Sequence, residues 1–247
     1  MRQLIFLFFL LVTTASSGQT VDQRYGTPVV VLTEINPWLK VLGSDVPSFV
    51  LYEKGQVIYQ RLENGKASQY FEANLSSEEA KRIVSSLGIT DSLLALPDFI
   101  EATTKGNQPT NELMINTKGT KIISVYGNLR TDAKARKATP KAFLSVYNKV
   151  TQYRNAKAKE WQPSIVEVLL TNYNHSPVMP VRWPAQWPGL QSPVVVKRSE
   201  QLYSLFLDEK HLNTLNRLIS GLKPKQGVEI DGKKFSVAYR LPLPNLD

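Results

Sequence analysis

The sequence predicts an α+β fold of mostly antiparallel sheet layers with about three amphipathic helices, placed after a cleaved signal peptide. Three observations carry this. Strand-like runs neighbour other strand-like runs across short links, an amphipathic helical pattern accompanies each such group, and the chain opens on a short apolar leader. The unit of paired strands and one helix occurs three times without sequence identity between its copies, which makes it similar architecture and not a repeat.

The leader, MRQLIFLFFLLVTTASSGQT, has a basic start at Arg2, an apolar run from Leu4 to Val12 and small residues at Ala15 and Ser17 that suit a signal peptidase. Cleavage is expected after Ser17, with Gly18 as the alternative, followed by a flexible start over residues 18–27. The apolar run is too short to span a bilayer of about 30 Å as a helix. A periplasmic or extracellular location is the expectation.

TPVVVLTEI at 27–35 suggests a strand, and SFVLYEKGQVIYQRL a hairpin about an EKGQ link. SQYFEANL leads into SSEEAKRIVSSLG, where Ser76 and Glu79 form a capping box, Ala80, Ile83, Val84 and Leu87 an apolar stripe, and Gly88 a C-cap. Residues 88–110 are irregular apart from a helical turn near Ser92–Leu96. NELMINTKGTKIISVYGN gives a second hairpin turning at Lys118-Gly119. A second helix is expected from Thr139 as N-cap and Pro140 as first residue, with Phe143, Tyr147, Val150 and Tyr153 on one face. That start leaves Lys134 and Lys137 in the preceding loop.

The charged NAKAKE stretch marks the expected junction near Glu160, dividing the mature chain into an N-terminal α+β domain over 28–159 and a C-terminal one over 160–247. WQPSIVEVLLTNY opens the second. Prolines 177, 180, 184, 188 and 193 then crowd a Trp/Pro-rich segment over 177–193. Each proline pushes the preceding residue out of the α region, so Trp183 and Trp187 do not belong to a helix despite their four-residue spacing. QLYSLFL reads as a strand, DEKHLNTLNRLISG as a helix capped by Asp208, and GVEIDGKKFSVAYRL as a hairpin turning at Asp231-Gly232.

Cysteine is absent, which removes disulfides, thiolate ligands and a thiol nucleophile. The two histidines, His175 and His211, stand apart without the spacing of a zinc site, and no cofactor is indicated. No serine lies in G-x-S-x-G. Ser176 or another serine meeting a histidine in space, or a carboxylate pair drawn from Asp91, Asp98 and Glu101, are further routes to hydrolysis.

The formal charge of +9 is local. Residues 130–159 hold nine basic residues and one acidic, and the remainder is nearly neutral, so the charge is no nucleic-acid signature. Lys134, Arg136, Lys137 and Lys141 are the candidate contacts to an anionic partner, which is a glycan, a lipid headgroup or an acidic exported protein; the plain alternative is a solvated surface. Arg182, Trp183 and Trp187 are the candidate ligand-binding set. Burying one tryptophan is worth about 4–6 kcal/mol, from roughly 150–250 Å² at about 25 cal/mol per Å², so a clasp between domains competes with an exposed stacking platform.

The fragments SFVLYEKGQVIY, KIISVYGN, WQPSIVEVLL, WPAQWP and DGKKFSVAYRLPLP resemble a family of secreted bacterial envelope proteins, some of them lipoprotein-like, with no assigned activity. The resemblance covers most of the mature length. It implies export and an α+β build, and it brings no catalytic residue; the acylated cysteine of lipoprotein relatives is missing, so no anchor is implied. The reading of the whole is a non-enzymatic binding or structural module of the envelope. A secreted hydrolase, or an inhibitor or assembly partner of another exported protein, is the alternative.

Overall fold

Two sheets account for most of the computed structural model, which describes residues 22–39, 41, 44–61 and 69–246. The expected leader at 1–17, and residues 18–21 after it, lie outside the described residues. The fold is α+β with predominantly antiparallel sheets.

The first sheet holds β1 (Pro28–Ile35), β2 (Phe49–Tyr52), β3 (Gln56–Arg61), β4 (Gln69–Asn74), β5 (Phe99–Glu101), β6 (Thr110–Asn116), β7 (Thr120–Tyr126) and β8 (Lys159–Glu160). Its order is β5-β7-β6-β1-β2-β3-β4-β8, and only β5 and β7 run parallel. The link between β2 and β3 needs Gly55, whose φ is 94° and whose position would drive a Cβ to 2.5 Å from the carbonyl oxygen of Leu75. Alternation along β1 and β6 sends Val30, Leu32, Leu113 and Ile115 to one face. There they meet Phe143, Val146, Tyr147 and Val150 of a covering helix.

Four helices belong to this half: α1 (Ser77–Leu87), α2 (Asp91–Leu94), α3 (Ala133–Ala138) and α4 (Lys141–Thr151). The capping box of Ser76 and Glu79 is present, and Gly88 closes α1 at φ 74°. The last turn of α1 contains no basic residue. Lys149 of α4 supplies one from outside, its Nζ donating to the carbonyls of Ser86 at 2.5 Å and Leu87 at 3.2 Å.

The start of α4 differs from the expectation. Pro140, not Thr139, is its N-cap, because Thr139 closes the preceding helix instead: its backbone N–H and hydroxyl both donate to the Ala135 carbonyl. Lys134 and Lys137 therefore lie on α3, not in a loop. Asp132 caps that helix, accepting from the backbone N–H groups of Lys134 and Ala135.

The second sheet contains β9 (Ile165–Asn172), β10 (Val181–Arg182), β11 (Val195–Lys197), β12 (Leu202–Asp208), β13 (Val228–Ile230) and β14 (Lys233–Arg240), in the order β10-β13-β14-β9-β12-β11. Only β10 and β13 are parallel. Val166, Val168 and Leu170 of the central β9 pack with Leu205, Leu207, Val237 and Leu215, the last from α5 (Leu212–Ser220). Asp208 does not cap this helix with its side chain. A single 3-10 turn, Glu209–His211, intervenes. Asp231 and Gly232, both at positive φ, form the expected hairpin turn between β13 and β14.

The sheets meet through the chain ends. Val31, Val50, Tyr52, Ile58 and Tyr70, on the face of the first sheet away from its helices, pack with Tyr25, Trp161 and Leu243. Tyr52 donates its hydroxyl to the Pro244 carbonyl at 2.8 Å, and the Asn245 amide donates to the carbonyls of Asp22 and Gly26. The described part of the start expected to be flexible, residues 22–27, is thereby held in place. Tyr25 is buried, with its ring centroid 4.9 Å from that of Tyr52.

Candidate functional site

Trp183 and Trp187 are both buried, at 9% and 5% exposure, with ring centroids 4.8 Å apart in an edge-to-face pair. Each indole N–H has an acceptor: Pro188 carbonyl oxygen at 3.1 Å for Trp183, and Nδ1 of His211 at 3.2 Å for Trp187. No ring face is presented as a stacking platform. Nor is the pair a clasp between the sheets, since its neighbours are Leu205, Leu207, Leu215 and Ile230 of the second sheet's own core. The prolines turn the chain so that Leu190 donates its N–H to Asp231 at the β13–β14 hairpin. Arg182 alone of this set is exposed.

The basic segment divides in two. Arg136 is half-buried and donates to the Leu129 carbonyl at 2.6 Å and to Asn148 at 2.8 Å, which ties α3 to α4. Arg130 pairs with Glu34, which also accepts the Tyr147 hydroxyl. Lys134, Lys137 and Lys141 are exposed, and among the described residues none has a carboxylate partner.

The histidines and Ser176 are held in local structure. Ser176 is buried; its hydroxyl donates to the Lys225 carbonyl at 2.5 Å and accepts from the Val178 N–H. His175 is exposed, with its ring against Tyr173, and His211 spends Nδ1 on Trp187. Asp91 occupies the first turn of α2 and Asp98 pairs with Lys121. Among the described residues no group of three or more His, Asp or Glu side chains is arranged to hold a metal ion, and no helix is long and apolar enough to cross a membrane.

A different set of residues builds a site. Glu167 lies mid-strand on β9 and is 1% exposed, on the face opposite Val166 and Val168. A buried carboxylate needs several donors. Glu167 has three: the Ser204 hydroxyl at 2.5 Å, Nε of Arg240 at 2.5 Å and Nη2 of Arg198 at 3.4 Å. Register accounts for one, because Arg240 on β14 is directly opposite Glu167. Ser204 also accepts from Nε of Arg198 at 3.0 Å. The cluster thus fixes two guanidinium groups from below while both stay partly open to solvent.

That openness faces a cleft of 540 Å³ between the sheets. Arg198, Arg240 and Phe206 form one wall. Thr33, Glu112, Met114 and Ile122 of the first sheet form the other, with Asp45 at the edge and Leu241 and Leu243 of the C-terminal strap at one end. Burial pushes the Asp45 carboxyl above its ordinary range, against the opposing effect of the Asn36 N–H that it accepts. The Glu112 side chain makes no ion pair or hydrogen bond among the described residues. A second cavity of 830 Å³, near Tyr25 and Trp161, is lined by Asp22, Glu72, Glu160 and Glu209, and its arginine, Arg24, is held by Asp22 in an exposed pair and not by a buried carboxylate.

No family model, curated protein or solved structure matches this chain. The site therefore has to be read from its own chemistry. Sequence reasoning missed Glu167, Arg198, Arg240 and Glu112. One signal was present: a glutamate inside IVEVLL, whose flanking residues alternate into a buried strand, has to find cationic or hydroxyl partners across the sheet.

Proposed function

We propose that this protein is an exported, non-enzymatic binding module that holds a small ligand in the cleft between its two sheets. The observation that carries the reading is the pair of arginines fixed by the buried Glu167 on the wall of a 540 Å³ cleft. Ligand pockets commonly run from about 300 to 1,000 Å³, largely apolar with a few fixed polar groups. Val31, Val46, Met114, Ile122, Phe206 and Leu243 supply the apolar lining, and Arg198, Arg240 and Glu112 the polar points.

Binding is favoured over hydrolysis by how the polar groups are used. Ser176 and His211, a serine and a histidine of the kind a triad assembled in space would need, sit in hydrogen bonds that hold loops and rings. Glu167 is enclosed under its arginines and serves to orient them. Export rests on the leader, and a fusion whose first 17 residues are deleted should remain in the cytoplasm of a bacterial host while the full chain does not.

Native mass spectrometry of the protein, incubated with a small-molecule extract and then desalted, tests the cleft. A bound mass on the parent protein that is missing from Met114→Trp, which fills the cleft, is the expected result. The same adduct on both proteins, or none on either, would overturn the reading.

A further inference from the structure

We infer that the ligand is a short apolar peptide of about two residues with both termini free, held at its carboxylate by Arg198 and at its ammonium by Glu112. This rests on the cleft being the binding site. Four features of the cleft point to it.

First, the charge is polarised from wall to wall. Arg198 and Arg240 stand on the second sheet, Glu112 on the first, and no ion pair joins Glu112 to either arginine. Opposite charges that share a cleft without touching leave room for a group that satisfies both. A simple anion would answer the arginines and face Glu112 unfavourably, and a simple cation would do the reverse. A zwitterion answers both walls.

Second, the two charges are unequally satisfied. The Glu112 carboxylate has no partner among the described residues, whereas Arg198 uses Nε on Ser204 and Nη2 on Glu167. Its Nη1 makes no hydrogen bond among the described residues. A guanidinium pinned on one edge and open on another is arranged to accept a carboxylate with little loss of side-chain freedom.

Third, Glu112 has apolar neighbours beside it on the first sheet. Glu112 and Met114 are two residues apart on β6, about 7 Å along a strand, and Met114 pairs with Val31 and Ile122 across the sheet. An ammonium at Glu112 would set the first side chain of an extended peptide over Met114 and Ile122. The second would reach Phe206 and Leu243 on the way to Arg198. Fourth, Ile122 leaves a large apolar side chain open on the cleft wall.

Calorimetric titration with leucyl-leucine, its N-acetyl derivative and its C-terminal amide tests the inference on the full mature chain. The parent protein should bind the free dipeptide, and each cap should weaken binding by about tenfold, the size of one charge-assisted hydrogen bond. Glu112→Gln should bind the free and acetylated forms equally, and Arg198→Gln the free and amidated forms equally. Arg198→Lys should restore part of the preference for the free carboxylate. Thermal unfolding of each variant reports on folding; Arg198→Gln leaves Glu167 its bonds from Ser204 and Arg240, and Glu112→Gln removes no side-chain hydrogen bond or ion pair among the described residues.

Should a variant fail to fold, the three ligands on the parent protein still decide, because equal affinity for the free and capped forms overturns the proposal. Binding of octanoate but not of the dipeptide, abolished by Met114→Trp, also overturns it and leaves the cleft reading standing. Failure of every probe, together with the absence of any adduct by mass spectrometry, removes both.

Discussion

Replacing Glu167 by glutamine tests the anchor beneath the cleft. The change keeps the shape, removes the charge, and turns one acceptor oxygen into an NH2 group that faces donors. Three hydrogen bonds are affected, from the Ser204 hydroxyl, Arg240 and Arg198. Hydrogen bonds to charged groups are worth about 1.5–3 kcal/mol each, and removing one partner of a buried pair costs about 3–5 kcal/mol. The glutamine carbonyl still accepts one bond, and the arginines are partly solvated, so the expected loss is at the lower end, about 2–3 kcal/mol. That corresponds to a fall in Tm of about 4–12 °C for a chain of this size. The assay is urea unfolding followed by tryptophan fluorescence in a Trp38→Phe background, in which the three buried tryptophans report: Trp161 against the first sheet, and Trp183 and Trp187 in the core of the second. A double-mutant cycle with Arg240→Gln should give a coupling of about 1–3 kcal/mol. A loss below about 0.5 kcal/mol at unchanged slope, the level of an ordinary surface substitution, would refute the anchored-arginine argument.

Other outcomes follow from the same geometry. Soluble quenchers should act mainly on Trp38, which is 71% exposed, so Trp38→Phe should remove most of the quenchable fluorescence and Trp183→Phe or Trp187→Phe little of it. The basic segment should split: Arg136→Gln should cost about 1–2 kcal/mol through the orphaned Leu129 carbonyl and Asn148, whereas reversing Lys134, Lys137 and Lys141 to Glu should change stability by less than about 0.5 kcal/mol each while abolishing any salt-sensitive adhesion to anionic vesicles. Ser76→Ala should cost about 1 kcal/mol through the capping box, read by urea unfolding. Burial, with Glu72 adding to it, pushes the Tyr25 phenol up to about 12. Its folded value lies above the ordinary 10, so its contribution to stability is complete below pH 10 and is lost as pH rises towards 12; absorbance titration at alkaline pH, with Tyr25→Phe as control, checks this.

Local rules made much of the fold legible. The capping box at Ser76, the αL glycine at 88 and the Asp231-Gly232 turn each depend on a few adjacent residues, and all three stand where the sequence put them. The helix around Phe143 was legible from its stripe, yet its start was misplaced because Thr139 has two possible partners, and the Ala135 carbonyl behind it won. Asp132 was the missed cap. Trp183 and Trp187 were correctly removed from a helix by their prolines, but whether their faces were open depended on α5 and β12, which are distant in sequence.

The site was nearly illegible for the same reason. Arg198, Arg240 and Glu167 meet because β12, β9 and β14 are neighbours, and Glu112 faces them because the strap from Leu241 to Leu246 brings the first sheet alongside. None of these residues has a local pattern. The electrostatic pattern that was visible, the run from 130 to 159, is partly consumed in structure by Arg130, Arg136 and Lys149. Only the buried charge in IVEVLL hinted at a partner across the sheet.

The absence of native cysteine makes the most direct measurement simple, since Met114→Cys gives a unique thiol on the cleft wall and Lys137→Cys a unique thiol on the outer helix surface. Each is reacted with a small thiol reagent, with and without the small-molecule extract that yields the mass adduct. If the cleft is the binding site, the extract slows modification of the cleft thiol by about tenfold or more, as expected for a site mostly occupied, and leaves the helix thiol unaffected. Equal rates at Met114→Cys in the presence and absence of the extract would contradict the central claim.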